Sequence, residues 1–394
     1  MSRRRRTLAG IGIGLAAAGT TAAAGVVAER LARALQTAKA LDSVDDYQEE
    51  ASEEVVVLAD DGVPLHVEID EPEGLPEGRT NSSAVPTVVL SHGFTLSLRC
   101  WVFQRRALKA AGYRVVLWDA RGHGLSGAGP RESYEIDQLG HDLYSVISAV
   151  APTGPLVLVG HSMGGMTLMA LAAHHPEVIR ERVIGVGFVA TSPGGISAVS
   201  WGLGKVLGKA VHRLGPVAVG QLAGRQGLVN SVLKAGREVE EYFVDLYSFG
   251  SPVPLSVVRL TADMIFNTQM EVISAFMETF DRHDKREAIQ RFIGVETVVI
   301  NGFQDMLTPP EHSEEIVRLI PGAEHILVND AGHLIMLEHG DVVADQLLAL
   351  IGRAQRAATV QVEVPERPRV RRTITDLAKL RRVKALQGRR RSVS

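Results

Sequence analysis

One serine of the chain stands in a context that favours nucleophilic catalysis. Ser162 is the central residue of the sequence GHSMG at 160–164, which is a G-x-S-x-G motif. In such a motif the serine sits on a strained turn between a strand and a helix, and its hydroxyl projects above the sheet. The apolar run 156–159 precedes the motif, and a helical pattern over 166–174 follows it. We therefore expect Ser162 to be a nucleophile.

Two residues further along the chain have the types that activate such a serine. A serine hydroxyl is a poor nucleophile until a base removes its proton, and the base needs a third group to hold its tautomer. Asp305 and His333 each follow an apolar run predicted to be a strand. Because the carboxyl ends of parallel strands meet at one edge of a sheet, we expect both to lie near Ser162. A surface carboxylate and a loop histidine are the alternatives, and Asp281 and Asp284 are the next candidates for the acid.

The oxyanion hole is predicted from two backbone N–H groups. Met163 follows the serine at the start of a predicted helix, whose dipole favours negative charge. The other donor is the N–H of Phe94 in the sequence HGF at 92–94, where Gly93 would allow close backbone approach. An ordinary turn is the alternative interpretation of this segment.

Three polar residues near these motifs are predicted to have structural rather than catalytic roles. His161, inside the motif, is expected to be a positioning or core residue. Asp119 and Arg121 belong to the sequence DARGHGLS at 119–126. We expect both to take part in a structural network near the site.

Strands and helices alternate over most of the chain. The runs 55–58 and 65–69, joined by an Asp-Asp-Gly turn, predict a hairpin. Apolar strands separated by helical stretches follow, and near-continuous Val/Leu runs indicate a parallel sheet covered by helices on both faces. These strands are predicted at 87–90, 114–118, 156–159, 183–189, 297–300 and 324–328, with a closing helix at about 342–356.

The alternation stops between residues 191 and 294, where helices dominate. This stretch predicts an inserted helical cap. Within it, residues 203–214 form an apolar face at helical spacing, which fits a helix over a pocket and also a helix on a membrane. The cap also carries a set of flexible apolar and aromatic side chains. Most of them are predicted to form the core of the cap, and some are predicted to line an acyl pocket. The set is Met264, Ile265, Phe266, Met270, Ile273, Phe276, Met277 and Phe280.

The two ends of the chain differ in composition from its middle. Four arginines at 3–6 precede the uncharged, Ala- and Gly-rich run 7–28, which predicts a signal peptide or a membrane anchor over 1–29. A soluble Ala-rich helix is the alternative. Residues 30–54 are interpreted as a linker, 55–356 as the catalytic domain, and 357–394 as a basic, disordered tail. The protein is accordingly expected to be membrane-associated or exported, with the side of the membrane left open.

The composition excludes several classes of protein and site. A chain of 394 residues that is 45% hydrophobic can bury a large core. The net charge of −3, with basic ends and an acidic middle, carries no signal for nucleic-acid binding. Cys100 is the single cysteine, which excludes an internal disulfide framework. No metal or organic cofactor is predicted.

Taken together, these motifs resemble the α/β-hydrolase superfamily. The resemblance rests on HGF at 92–94, DxRGHGxS at 119–126, GHSMGG at 160–165, GxxD at 302–305 and AGH at 331–333, in this order. It covers about residues 55–356 and includes the cap position. It implies an α/β-hydrolase fold, with a mostly parallel central sheet flanked by helices and an inserted helical cap.

The same resemblance implies a serine hydrolase that cleaves carboxylic esters through an acyl-enzyme intermediate. The expected substrate is a small-molecule or lipid-like ester with an apolar acyl group. Epoxide hydrolases and dehalogenases place an aspartate at the position of Ser162 and are therefore disfavoured. Thioesterases, C–C hydrolases and perhydrolases use the same triad and remain open. The alternative from another class is a non-catalytic, membrane-tethered binding module.

Overall fold

A computed structural model describes residues 45, 47–72, 74, 85–196, 248–360 and 371–374. Within these residues, nine strands form one sheet. The strands are β1 (Glu53–Leu58), β2 (Pro64–Asp70), β3 (Thr87–Ser91), β4 (Val115–Trp118), β5 (Leu156–His161), β6 (Val183–Val189), β7 (Glu296–Gly302), β8 (Glu324–Val328) and β9 (Arg371–Ile374).

The sheet is mostly parallel, as predicted. Its strand order is β1-β2-β4-β3-β5-β6-β7-β8-β9. The hairpin of β1 and β2 is antiparallel, β2 pairs antiparallel with β4, and all later neighbours are parallel. This order brings the carboxyl ends of β3, β5, β7 and β8 to the same edge of the sheet.

Helices cover both faces of the sheet. The α-helices among the described residues are α1 (Val102–Ala110), α2 (Ile136–Val150), α3 (Met163–His174), α4 (Pro176–Arg182), α5 (Leu255–Asn267), α6 (Met270–Phe280), α7 (Pro310–Leu319), α8 (Ile335–Glu338) and α9 (Gly340–Val360). Helices α2 and α3 pack with each other on one face, and α1 and α9 pack with each other on the opposite face. The predicted fold class is thus confirmed.

Burial on both faces of the sheet explains why the sequence of strand β5 is continuously apolar. Leu156 and Leu158 belong to the core that α2 and α3 cover, whereas Val157 and Val159 belong to the core on the α1 and α9 side. All four side chains are fully buried. Because side chains alternate along a strand, a strand covered on both faces needs an apolar residue at every position. Burial of each such side chain stabilises the fold by about 1.5–3 kcal/mol.

The structure describes only part of the predicted cap. Helices α5 and α6 lie within 191–294, and Phe276 of α6 is buried in the core on the side of α2 and α3. The bridge between Gly194 and Asp284 joins the beginning of the predicted cap to its end. The apolar face predicted at 203–214 falls outside the described residues.

The end of the predicted linker contacts the helix α1. The ring of Tyr47 is buried and meets Phe103 edge-on at a centroid distance of 5.6 Å. Arg106 pairs with the carboxylates of Asp45 and Glu49. These residues of the predicted linker are therefore held against the catalytic domain.

The carboxyl-terminal tail differs from its prediction in both of its described stretches, since residues 357–360 continue α9 and residues 371–374 form a strand. Residues 371–374 form β9, which pairs in parallel with β8. The N–H of Asn329 donates to the carbonyl of Ile374 at 3.0 Å. The prediction of disorder was wrong for these four residues because the open edge of β8 supplies hydrogen-bond partners that composition does not reveal. The rest of the tail after residue 360 lies outside the described residues.

In the part of the chain that the structure describes, no helix is both long enough and apolar enough to cross a membrane. The signal peptide or anchor predicted at 1–29 lies outside that part, as do residues 30–44 of the linker.

Candidate active site

Ser162 stands on the turn between β5 and α3 with a strained backbone. Its φ is 51° and its ψ is −116°, a combination that residues other than glycine rarely adopt. Its N–H donates to the carbonyl of Val189 at 3.0 Å, and the hydroxyl of Thr191 donates to its carbonyl at 2.7 Å. These two contacts with the end of β6 hold the turn in place.

The glycines around Ser162 are required by close packing. A Cβ on Gly164 would lie 2.2 Å from the carbonyl oxygen of Ser91 in β3, and one on Gly160 would lie 2.5 Å from the carbonyl carbon of Gly164. A Cβ on Gly165 would lie 2.6 Å from the side chain of Thr191. The turn can therefore approach β3 and β6 only if these positions have no side chain.

Asp305 and His333 meet at the carboxyl ends of β7 and β8. Oδ2 of Asp305 lies 2.9 Å from Nδ1 of His333, and both side chains are buried. Oδ1 of Asp305 accepts hydrogen bonds from the N–H groups of Leu307 and Thr308 at 2.8 and 2.9 Å. An ionised carboxylate only accepts hydrogen bonds, so Nδ1 of His333 is the donor in this contact, and in the neutral ring the lone pair is then on Nε2.

Sequence reasoning missed Thr308 as a partner of this pair. Its hydroxyl donates to Oδ2 of Asp305 at 2.8 Å and lies 3.3 Å from Nδ1 of His333. The side chain of Asn301 also approaches Asp305, at 3.5 Å. The signal that could have found Thr308 is its place just after Asp305, because aspartates in turns commonly accept from backbone N–H groups two or three residues later.

His161 connects the turn of Ser162 to the loop of His333. Its Nε2 donates to the carbonyl of His333 at 3.0 Å, and the two rings lie 4.8 Å apart. Burial lowers the pKa of His161 well below its usual value, which keeps this ring neutral. The structure thus agrees with the prediction of a positioning or core role.

The segment of Gly93 and Phe94 lies directly against the nucleophile turn. A Cβ on Gly93 would lie 2.5 Å from Nδ1 of His161 and 3.2 Å from Cβ of Ser162. Phe94 lines the same cavity as Ser162. Met163 is the first residue of α3, where backbone N–H groups have no acceptor within the helix. The structure therefore places Gly93 against the Ser162 turn and both Phe94 and Ser162 at one cavity, while the oxyanion role of the Phe94 and Met163 N–H groups stays a prediction.

His92 fixes this segment through both of its ring nitrogens. Nδ1 donates to the carbonyl of Gly93 at 2.7 Å, and Nε2 accepts from the N–H of Ala120 at 2.9 Å. Burial lowers the pKa of His92, so the ring stays neutral and one tautomer satisfies both contacts.

An apolar cavity of about 110 Å³ opens in front of Ser162 and His333. None of the described residues that line it is an Asp, Glu, Lys or Arg. Ile265 and Phe280 of the predicted apolar set line it, whereas Met264 and Phe276 are buried in the core. The lining consists of Phe94, Thr95, Leu96, His161, Ser162, Met166, Ile196, Ser248, Ile265, Phe280, Leu307, Thr308, His333 and Leu334.

Asp119 and Arg121 take part in two separate structural networks. Asp119 accepts from the N–H groups of Leu98 at 2.8 Å and Leu125 at 2.9 Å. The guanidinium of Arg121, fully buried, pairs with Asp142 at 2.6 Å. Their predicted structural role agrees with these contacts, although each residue anchors a different group of partners.

Neither the described polar clusters nor Cys100 resembles a metal centre. Among the described residues, no group of three or more His, Cys, Asp or Glu side chains could hold a metal ion. Cys100 is buried, and burial raises the pKa of its thiol well above the usual value.

Comparison with known proteins decides the family. The model of the alpha/beta hydrolase fold family matches residues 86–340, which contain the turn of Ser162, Asp305 and His333. The chain belongs to the α/β-hydrolase family. This α/β hydrolase is 29% identical over 268 residues to the sn-1-specific diacylglycerol lipase ABHD11 of Mus musculus, covering 67% of this chain and 79% of that protein.

A bacterial lipase is a further relative of this α/β hydrolase. It is 27% identical over 241 residues to Lipase 3 of Moraxella sp. (strain TA144), covering 60% of this chain and 68% of that protein. The chain is therefore a lipase-like member of the α/β-hydrolase family.

Solved structures share its fold. The esterase EaEST of Exiguobacterium antarcticum matches with a TM-score of 0.59 at 19% identity, over 76% of this chain and 100% of that one. A bromoperoxidase of Bacillus anthracis matches with a TM-score of 0.58 at 22% identity, over the same shares. At these identities the likeness concerns the fold alone.

Proposed function

We propose that this α/β hydrolase cleaves carboxylic esters with an apolar acyl group, with Ser162 as nucleophile, His333 as general base and Asp305 as the orienting acid. The observation that carries the proposal is that Ser162 and His333 line one apolar cavity while Asp305 holds Nδ1 of His333 at 2.9 Å. The lipase relatives support the same class of substrate.

In the first step, Nε2 of His333 takes the proton of the Ser162 hydroxyl as Oγ attacks the ester carbonyl carbon. The N–H groups of Met163 and Phe94 donate to the oxyanion that forms, which lowers the barrier because these donors are fixed beforehand. His333 then gives the proton to the leaving alkoxide oxygen. The alcohol departs, and the acyl group stays bonded to Ser162.

In the second step, a water molecule attacks the acyl carbon while His333 takes one of its protons. The bond between the acyl carbon and Oγ of Ser162 breaks, and Oγ recovers its proton from His333. Asp305 stabilises the imidazolium in both steps and does not itself become protonated. The products are a carboxylic acid and an alcohol, and the enzyme is regenerated without a cofactor.

The apolar lining favours an acyl chain over a charged group. Each methylene of the substrate that becomes buried contributes about 0.8 kcal/mol. A charged acyl group would lose its hydration in this cavity, where no described lining residue carries a compensating charge.

A series of p-nitrophenyl esters from acetyl upward tests the proposal. We expect kcat/KM to rise with the first added methylenes and Ser162→Ala to remove turnover nearly completely. Ser148→Ala is the matched control, since Ser148 is exposed on α2 and does not line the cavity, and it should keep the wild-type rate. A steady fall of kcat/KM from acetyl upward would contradict the apolar acyl site. Full activity of Ser162→Ala would contradict the nucleophile.

A further inference from the structure

A buried carboxylate outside the triad contacts the loop that carries His333. Glu338 ends the helix α8 and is 3% exposed. Its Oε2 accepts from the N–H of Gly332 at 2.7 Å and from the N–H of Gly250 at 3.0 Å. Its Oε1 accepts from the hydroxyl of Ser251 at 2.6 Å and from the N–H of the same residue.

These hydrogen bonds offset the unfavourable free energy of burying a carboxylate. An unpaired buried charge is strongly unfavourable, so a buried carboxylate is retained only where donors surround it. Burial raises the pKa of Glu338 to about 7, and the hydrogen bonds from Gly332, Ser251 and Gly250 oppose this rise. The ring of His339 also faces the carboxylate, with Nε2 at 3.8 Å from Oε1.

The donors to Glu338 come from two segments that are distant in the sequence. One is the loop that leads into His333. The other is residues 248–251, which follow the part of the predicted cap that lies outside the described residues, and Ser248 lines the cavity. The N–H of Leu334 also donates to the carbonyl of Ser248 at 2.9 Å.

The same two segments pack backbone against backbone. A Cβ on Gly332 would lie 2.7 Å from the backbone nitrogen of Gly250, and a Cβ on Gly250 would lie 2.6 Å from the carbonyl carbon of Ala331. A side chain at either glycine would push the segments apart. Glu338 therefore accepts hydrogen bonds from two segments whose backbones are in direct van der Waals contact.

We propose that Glu338 is a positioning residue that holds His333 over the cavity and couples its loop to the segment 248–251, of which Ser248 lines the cavity. The inference rests on the proposed function of His333 as the base. Glu338 contacts the N–H of Gly332, the residue before His333, and therefore acts through the backbone rather than on the substrate. The backbone carbonyl of His333 is held separately by His161, and its ring by Asp305.

The test compares Glu338→Gln with wild type per functional active site. Glutamine keeps the size of the side chain, but its NH₂ group replaces one of the two carboxylate oxygens and cannot accept a hydrogen bond. The donors to that oxygen therefore lose their acceptor. Active sites are counted by titration with a fluorophosphonate, and nitrophenyl ester turnover is divided by that count. We expect kcat per titrated site to fall about 10- to 100-fold while KM changes by less than about twofold, because the base is displaced and the acyl cavity is kept.

Two further variants complete the design. Ser251→Ala removes only the hydroxyl donor to Oε1, so it should fold and lower kcat per site by about threefold or more. Asp341→Asn is the matched control, because Asp341 is an exposed acidic residue just after Glu338, and it should behave as wild type. A purely structural role of Glu338 predicts fewer titratable sites with unchanged kcat per site. That result, in Glu338→Gln or in Ser251→Ala, would overturn the proposal.

A readout without activity separates this inference from the proposed function. Amide hydrogen exchange of Glu338→Gln should speed up at 248–251 and at 331–334 together, since both segments lose a shared partner. Unchanged exchange at either segment would overturn the coupling, whatever the enzyme hydrolyses. A wild-type protein that does not react with the fluorophosphonate would contradict the proposed function instead, and the exchange experiment would then decide the coupling by itself.

Discussion

Nδ1 of His333 lies 2.9 Å from Oδ2 of Asp305, inside a buried group of hydrogen bonds at the carboxyl edge of the sheet. The carboxylate is held by the N–H groups of Leu307 and Thr308 and by the hydroxyl of Thr308. A carboxylate fixed in this way can hold one tautomer of the histidine and stabilise its protonated form.

Replacement of Asp305 by asparagine should leave a folded but slow enzyme. The amide cannot stabilise the imidazolium and favours the wrong tautomer, so kcat on nitrophenyl esters should fall about 10³- to 10⁴-fold. Asp284→Asn is the control, because Asp284 is exposed and pairs with Arg286. Retained activity in Asp305→Asn together with lost activity in Asp284→Asn would show that the acid has been misassigned.

Gly164→Ala should destabilise the fold. Its Cβ would meet the backbone carbonyl of Ser91 at 2.2 Å, which forces the nucleophile turn away from β3 at a cost of about 1–3 kcal/mol or more. Gly74→Ala is the matched control, since nothing lies within 4 Å of a Cβ there. Urea unfolding measures both free energies. Equal midpoints for the two variants would refute the packing argument.

His123 should make the fold sensitive to acid. It is fully buried, and burial lowers its pKa from 6.5 to about 3. The unfolded chain therefore binds the extra proton first, so the stability that neutral His123 contributes is complete above pH 6.5 and is lost as the pH falls toward 3. Between pH 6.5 and 4.5 the loss amounts to about 2–3 kcal/mol.

The variant His123→Phe tests this prediction through the slope of stability against pH. Phenylalanine keeps an aromatic ring near Phe276, whose centroid lies 5.6 Å from that of His123, and it has no proton to bind. Unfolding free energies of wild type and variant are compared from pH 7 to pH 4.5. We expect the unfolding free energy of the wild type to fall relative to that of the variant as the pH falls. Parallel curves would show that His123 does not supply the acid sensitivity.

The N-terminal run 7–28 behind four arginines motivates a prediction about location. We propose that it anchors the protein in a membrane. After a high-salt wash, the full chain should stay in the membrane fraction and a chain starting at Arg30 should be soluble. Release of the full chain by salt would show attraction of basic residues to the surface alone. A shortened soluble product that begins near Ala24 would show a cleaved signal peptide.

Much of the sheet could be predicted because its central strands are buried on both faces and have continuous apolar sequences. The run 156–159 predicts β5, which the structure extends by two residues to His161. The nearness of Asp305 and His333 could also be expected, since each follows a strand that ends at the same edge of the sheet.

Other features could not be predicted because they depend on contacts between distant segments. The partners of Glu338 lie on a loop and on a segment far apart in the sequence, and no local pattern marks their meeting. Strand β9 has the composition of a disordered tail and is ordered through the edge of β8. The N–H of Thr308 could be expected as a donor from its place three residues after Asp305, whereas the contact of its hydroxyl with Oδ2 depends on how the turn folds.

The most direct test of the central claim is mass spectrometry of the protein after reaction with a fluorophosphonate. The reagent should attach to a single peptide, at Oγ of Ser162, at a rate that falls in Asp305→Asn because labelling needs the same base. Ser162→Ala should remain unlabelled, while Ser148→Ala should react like wild type. Labelling of Ser162→Ala at another residue, or a wild-type protein that stays unmodified, would contradict the assignment of Ser162 as the nucleophile of this hydrolase.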